Sequence, residues 1–258
     1  MDIKEMKVDQ LRVCVYPNRN IMGECAAQEA IAALRKLIAE KDEVNVIFAA
    51  APSQSEFLAG LCNAEGIDWG KVNAFHMDEY VGLPVGSQGS FTNFLNEAVF
   101  NKLPFKQVYR LNGAAEDPKE ECARYTQLLK DHPTDVVFMG VGENGHIAFN
   151  DPPVADFNDP YMVKIVELDD ICRQQQVNDG CFGALNEVPK QAMTLTLSFI
   201  MNVPHAICTV PTDRKANAVL GALCGHVTTE CPASILRSHN DAALFLDAPA
   251  ASKLPETI

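Results

Sequence analysis

Apolar residues along the chain fall into short runs that alternate with stretches of helical spacing. LRVCVY (Leu11 to Tyr16), VNVIFAA (Val44 to Ala50), VNAFHM (Val72 to Met77), VVFMGV (Val136 to Val141) and HAICTV (His205 to Val210) are almost continuously apolar and rich in β-branched residues. That is the pattern of strands buried on both faces, as in a parallel sheet. Val108 to Leu111, Met162 to Leu168 and Asp241 to Leu246 read as further strands. Helices are predicted over about Met22 to Glu40, from Pro52 onward, from Ser90-Phe91 to about Phe100, over about Asp117 to Lys130 and over about Ala216 to Leu223. Ser53 followed by Glu56 fits a capping box, and acidic residues open the Asp117 helix as the helix dipole favours. Met193 to Leu197 (MTLTL) fits either an alternating strand or the start of a helix. Ala155 to Pro160 is a polar connection, and Arg173 to Gly183 reads as loop or short helix. Strands alternating with helices throughout imply a fold of the α/β class: an open, twisted, mostly parallel sheet with right-handed crossovers and helices on both faces. No repeat and no long polar linker divides the chain, so residues 1–258 are expected to form a single domain.

Length and composition agree with that reading. A chain of 258 residues can bury one large core, and 47% hydrophobic against 21% charged residues is ordinary for a globular protein. No apolar run reaches the roughly 20 residues of a membrane helix, and MDIKEMKVDQ lacks the layout of a signal peptide. A cytoplasmic location with no membrane partner is the expectation. The nine cysteines form no CxxC pair and no Cys/His spacing suited to zinc, so reduced, mostly buried thiols and no metal are expected. A net charge of -13 argues against nucleic acid as a partner. It also means that an anionic ligand could bind only where local donors overcome the overall field.

The stretch VVFMGVGENGHIAFNDPP (Val136 to Pro153) organises the rest. A buried strand breaks at Gly140 and Gly142, and Glu143, Asn144, His146, Asn150 and Asp151 follow directly. In open α/β sheets ligands bind beyond the carboxyl ends of the strands, which is where this turn falls. Asn150-Asp151-Pro152-Pro153 is also ordinary turn chemistry. His146 lies between Gly145 and Ile-Ala-Phe, and histidine is the one residue type whose unperturbed side chain changes charge near neutrality. The strand VNAFHM ends in Asp78-Glu79, whose side chains must point to opposite sides. One should therefore face the crevice of His146, with the other packed or salt-bridged. Ser53 and Ser55 open a helix straight after a buried strand, where free N–H groups could hold an anion, although capping alone would also explain them. Arg214-Lys215 lies at a strand-to-helix turn on the same edge and supplies the cations that so acidic a chain would need there.

HMDEYVGLP (His76 to Pro84) together with GVGENGHIAFNDP resembles the glucosamine-6-phosphate deaminase family, also called glucosamine-6-phosphate isomerases. VPKQAMTLTL (Val188 to Leu197), Arg214-Lys215-Ala216 and CPASIL (Cys231 to Leu236) extend the resemblance over most of the chain in order. It implies a Rossmann-like fold and a cofactor-independent conversion of glucosamine 6-phosphate to fructose 6-phosphate and ammonia. It places on Asp78 the base that moves the C2 proton, on His146 the opening of the sugar ring, on Asp151 the support of that histidine, and on Lys215 phosphate binding. The chain departs from the family pattern in three ways. Asn144 stands where an aspartate is usual, so any base role there is lost or displaced to Glu143. The Gly-Thr-rich phosphate loop is replaced by Ala50-Ala-Pro-Ser-Gln-Ser55, with Ser53 and Ser55 as substitutes. The family's phosphate arginine has no clear counterpart, Arg173 being the nearest; Glu79 joins the candidates for substrate contact. A small phosphorylated amino sugar is the expected partner, with a galactosamine epimer, a 6-phosphogluconolactonase-like hydrolysis and a non-catalytic sugar-phosphate regulator as alternatives. A homo-oligomer is compatible with the sequence but not specified by it.

Overall fold

In chain order the elements are β1 (Lys4–Val8), β2 (Leu11–Tyr16), α1 (Arg19–Glu40), β3 (Val44–Phe48), α2 (Ser55–Cys62), β4 (Val72–His76), β5 (Asp78–Tyr80), α3 (Phe91–Leu95), β6 (Gln107–Tyr109), α4 (Pro118–Asp131), β7 (Val136–Met139), β8 (Val163–Glu167), α5 (Asp170–Asn178), β9 (Gln191–Leu195), α6 (Leu197–Ile200), β10 (His205–Val210), α7 (Ala216–Cys224) and β11 (Ala242–Asp247). The structure, a computed structural model, describes residues 4–84 and 86–256. The first residues of the amino-terminal stretch, the last two of the chain and Val85 in the Gly-rich loop lie outside the described residues.

Eight strands form one sheet in the order β1-β2-β11-β10-β7-β3-β4-β6, parallel except for β1, which pairs antiparallel with β2. Alternate side chains of each central strand enter different cores. On β7, Val137 and Met139 join a core that includes α4 and α7, while Val136 and Phe138 join the core of α1 and α2. Helices therefore cover both faces, which is why these strands read as unbroken apolar runs. Phe138 is gripped edge-on by Phe48 and Phe57, with ring centroids 5.3 and 4.9 Å away, a geometry that adds to simple burial. No described helix is long and apolar enough to cross a membrane.

The structure corrects the sequence reading in four places. A second, antiparallel sheet of order β5-β9-β8 stands beside the large one; MVKIVEL, read as one more strand of the main sheet, belongs there. The chain passes from the large sheet to the small one at Met77, between β4 and β5. Both readings of MTLTL hold in succession, because β9 ends at Leu195 and Thr196 caps α6, accepting from the Phe199 N–H. Strand β1 was not anticipated; its largely exposed KEMKV carries the charges of a protected edge. The capping box at Ser53 and Glu56 does not form. Pro52–Gln54 instead makes a 3₁₀ turn ahead of α2, and Glu56 pairs with Arg19. The cysteines are all unpaired, but only Cys14, Cys122, Cys172 and Cys208 are buried; Cys224 is exposed.

Candidate active site

The loops beyond the carboxyl ends of β3, β4, β7 and β10 open on one cleft, whose walls include Ser53, Asp78, Gly142, His146, Arg214 and Lys215. Two of its walls depend on glycine. A side chain at Gly140 would meet the Gln54 amide at 2.8 Å, and one at Gly142 would fall 2.2 to 2.4 Å from three atoms of the His146 ring. Real Cβ contacts are not that short, so Gly142 is the space in which the imidazole lies. Two non-glycine residues on the cleft wall, Ala148 (φ 52°) and Thr212 (φ 79°), adopt left-handed backbone, the kind of local strain that collects at functional turns.

The His146 ring is held from behind. Its Nδ1 lies 2.9 Å from Asp151 Oδ1. Asn144 donates from Nδ2 to the same oxygen at 2.8 Å, and its Oδ1 accepts from the His146 N–H at 3.0 Å. Asn144 is thus a brace between the imidazole's backbone and its carboxylate, a task that an amide performs and an ionised aspartate would not. Burial alone would push the Asp151 carboxyl up. The neighbouring His146, with the Asn144 amide that donates to the carboxylate, outweighs burial and holds it below the usual carboxylate range. Asn150 is structural: its Nδ2 donates to the carbonyls of Ile147 and Leu195. The turn-chemistry reading of NDPP therefore holds for Asn150 but not for Asp151.

Asp78 and Glu79 divide as the strand geometry requires. Asp78 is buried and lines the cleft. Burial, then the charges of Glu79 and Asp151, raise its carboxyl well above the ordinary value. Glu79 points to the other side, where its carboxylate accepts from the N–H groups of Tyr80, Phe91 and Thr92 and from Ser90 Oγ. It pins the loop before α3 and is removed from the substrate-contact candidates. His76 fixes the backbone under Asp78. The Leu111 N–H donates to Nε2 at 2.9 Å, so the proton sits on Nδ1, which donates to the Asp78 carbonyl at 2.9 Å. Full burial pushes the His76 pKa down and keeps the ring neutral.

The cationic side of the cleft is only partly as expected. Lys215 is buried, lines the cleft and has no hydrogen-bond or ion-pair partner among the described residues. Desolvation lowers its pKa, against the attraction of Asp179 and Glu143. An unpaired buried ammonium is costly unless a ligand supplies the counter-charge. Arg214 also lines the cleft but is tied to Asp179 Oδ1 at 3.2 Å and the Asn178 carbonyl. Ser53 is on the cleft wall, its Oγ accepting from Gln54 Nε2 at 3.3 Å. Three candidates lie elsewhere. Ser55 is exposed in the first turn of α2 and does not line the cleft. Arg173 spends its guanidinium on the carbonyls of Leu185 and Val188 and on Asp170. Glu143 lies beside the cleft with its carboxylate 3.8 Å from Arg214 and is not among the residues that line it.

Four residues on or beside the cleft escaped the sequence reading. Gln54 exchanges hydrogen bonds with Thr209 and fastens the loop after β3 to β10. Gln175 accepts from the Glu143 N–H at 2.9 Å, joining α5 to the loop after β7. Arg19, the first residue of α1, lines the cleft beside Pro52; its position directly after a predicted strand was the available signal. Cys172 places its Sγ, with His146 and Asp151, in a group whose possible ligand atoms lie within 4.8 Å of one another. Burial pushes that thiol far up and keeps it protonated, whereas a metal ligand must be a thiolate. The trio suits a hydrogen-bonded acid/base assembly better than a metal centre.

An open, mostly parallel sheet with a buried carboxylate, an imidazole and an unpaired ammonium gathered at its carboxyl edge has the layout of an α/β enzyme. The chain belongs to the family of glucosamine-6-phosphate isomerases and 6-phosphogluconolactonases, whose model matches residues 17–164. It is 38% identical over 192 residues to a glucosamine-6-phosphate deaminase of Bacillus cereus strain B4264, covering 74% of this chain and 71% of that one. It is 35% identical over 212 residues to a glucosamine-6-phosphate deaminase of Listeria monocytogenes serotype 4a, covering 82% and 88%. Among solved structures, a monomeric glucosamine-6-phosphate deaminase superposes with a TM-score of 0.85 at 26% identity, over 96% of this chain and 99% of that one. A 6-phosphogluconolactonase from Trypanosoma brucei superposes with a TM-score of 0.79 over 98% and 100% at 16% identity, a likeness of fold alone.

Proposed function

We propose that this chain is an amino-sugar-phosphate isomerase and deaminase that converts glucosamine 6-phosphate to fructose 6-phosphate and ammonia. The observation that carries this reading is the meeting of Asp78 and His146 in one cleft with the unpaired Lys215. The reaction is redox-neutral and consumes one water: proton transfers carry the C1 aldehyde and C2 amine to a C1 hydroxyl and a C2 imine, then water adds at C2 as the C–N bond breaks and ammonia leaves. It therefore needs a base, a group that carries a proton and donors for developing charge. Asp78 is the base at C2; its raised pKa makes the ionised carboxylate a stronger base than an exposed one. His146, oriented by Asp151 and Asn144, moves the proton that opens the sugar ring. Lys215 and Ser53 hold the phosphate, whose remote binding energy positions C2 against Asp78.

The test is a panel assay for ammonia and ketose release. Glucosamine 6-phosphate is expected to release both. Release from galactosamine 6-phosphate alone would transfer the assignment to that epimer. Acid formation from 6-phosphogluconolactone without ammonia from any amino sugar would replace it with hydrolysis. Tight binding of an amino-sugar phosphate with no turnover would leave a regulator.

A further inference from the structure

Resting on that reading, we infer that Arg19 is a second phosphate-binding residue and sets the preference for phosphorylated over free amino sugars. A phosphate monoester carries about 1.5 to 2 negative charges at neutral pH, more than Lys215 alone can balance in a chain of net charge -13. Three cations line the cleft among the described residues: Arg19, Arg214 and Lys215. Arg214 faces two carboxylates, Asp179 at 3.2 Å and Glu143 at 3.8 Å, and its Nη1 is already donating. Arg173 is buried with its guanidinium on the carbonyls of Leu185 and Val188 and does not line the cleft.

Arg19 is differently placed. Its Nε lies 2.7 Å from Glu56 Oε1, while Nη2 donates to Glu56 Oε2 at 2.8 Å and to the Pro52 carbonyl at 3.1 Å. One edge of the guanidinium is therefore fixed to the first turn of α2, next to Ser53, and Nη1 has no partner among the described residues. The side chain is 38% exposed, so the ion pair contributes little stability; what it does is aim the fork. An arginine anchored along one edge and free along the other is preorganised for a phosphate oxygen. Ser53 is its neighbour on the cleft wall, and Lys215 lines the same cleft. Glu56, which the sequence suggested as a capping residue, is thereby a positioning residue for Arg19.

The experiment compares wild type with Arg19→Ala, Arg19→Lys and Glu56→Gln, measuring steady-state kinetics and, without turnover, calorimetric binding of inorganic phosphate. For Arg19→Ala, KM for glucosamine 6-phosphate and the dissociation constant of phosphate should rise together by about 10- to 100-fold, with a smaller change in kcat. The kcat/KM ratio of glucosamine 6-phosphate to unphosphorylated glucosamine should fall by a similar factor. Arg19→Lys, which keeps the charge but not the fork, should lie between, and Glu56→Gln should weaken phosphate binding by a few-fold. Phosphate affinity within about twofold of wild type in Arg19→Ala, or in Arg19→Lys if the alanine variant does not fold, would overturn the inference. Wild-type protein that binds phosphate through Arg19 but releases no ammonia would instead overturn the functional reading and leave Arg19 in place.

Discussion

Replacing Gly142 with alanine tests how tightly the imidazole of His146 is held. The backbone at Gly142 is not left-handed, so an alanine there meets no conformational penalty, and its whole effect is the added methyl group. That methyl would sit 2.2 Å from Cε1, 2.3 Å from Nε2 and 2.4 Å from Nδ1 of His146, where ordinary contact begins at 3.4 Å. The ring must therefore move by about 1 Å or more, away from Asp151 Oδ1 at 2.9 Å. A displacement of that size at a reacting group costs about 100-fold in rate. Overpacking of a buried site costs about 1 to 3 kcal/mol, which for a protein of this size lowers Tm by roughly 2 to 12 °C. Lys215 and Ser53 are untouched, so phosphate binding should persist. Steady-state kinetics, thermal unfolding and calorimetry with inorganic phosphate read the three quantities separately. Gly82→Ala is the control: its φ is +86° but a Cβ meets nothing within 4 Å, so it should lose some stability and little activity. A Gly142→Ala enzyme with near wild-type kcat would show that His146 is free to move and that its fixed seat is irrelevant to turnover.

Asp78→Asn should abolish ammonia release while leaving phosphate-ester binding intact; retained turnover would remove Asp78 from the mechanism. Because burial and like charges raise the Asp78 pKa, the folded state holds its proton more tightly than the unfolded chain. Its stabilising contribution is complete below the ordinary value of about 4 and is lost as pH rises through the folded pKa. The asparagine variant should therefore melt higher than wild type at neutral pH, with the difference vanishing toward about pH 4. Lys215→Met should weaken phosphate binding by about 10-fold or more yet raise Tm at neutral pH. Burial lowers the Lys215 pKa, so the charged form costs stability until the pH approaches the ordinary value near 10; a variant less stable than wild type at pH 7 would contradict that sign. Asp151→Asn should do the opposite. Its carboxyl is held low, giving stability present above the ordinary value and lost as pH falls through the folded pKa, so the variant should melt lower at pH 7 with the deficit shrinking in acid.

The inner strands of the large sheet were legible because burial on both faces leaves uninterrupted apolar runs, and their order along the chain dictates parallel crossovers, whereas the exposed edge strand β1 leaves no such run. Strand β5 was not, since DEY reads as three polar or amphipathic residues and becomes a strand only by pairing with β9. Site residues carried by the two motifs, Asp78, His146 and Asp151, fell where the turn chemistry put them. The misplaced ones share a cause. Ser55, Arg173 and Glu143 were chosen for charge or hydroxyl near a motif, and which way such a side chain points depends on partners remote in sequence. Arg173 is taken by the carbonyls at 185 and 188, and Glu56 by Arg19. Helical spacing cannot report those pairings. The opposite-face rule for neighbours on a strand could, and it sorted Asp78 from Glu79 correctly.

The two buried carboxylates of the site are driven apart in acidity by what stands beside them. Asp151 has an imidazole and an amide, and is held low; Asp78 has only other carboxylates, and is held high. Environments that separate such a pair assign an acid/base division of labour. On the proposed reading, the missing cation beside Asp78 is brought by the substrate itself. The ammonium group on C2 is positive, and an opposite charge within a few ångströms favours the ionised carboxylate. The raised pKa makes Asp78 less costly to bury as the acid, and an ammonium beside it would favour the ionised base. A lactone carries no such charge. That difference is one reason the proposed reading puts an amino sugar rather than a lactone against Asp78.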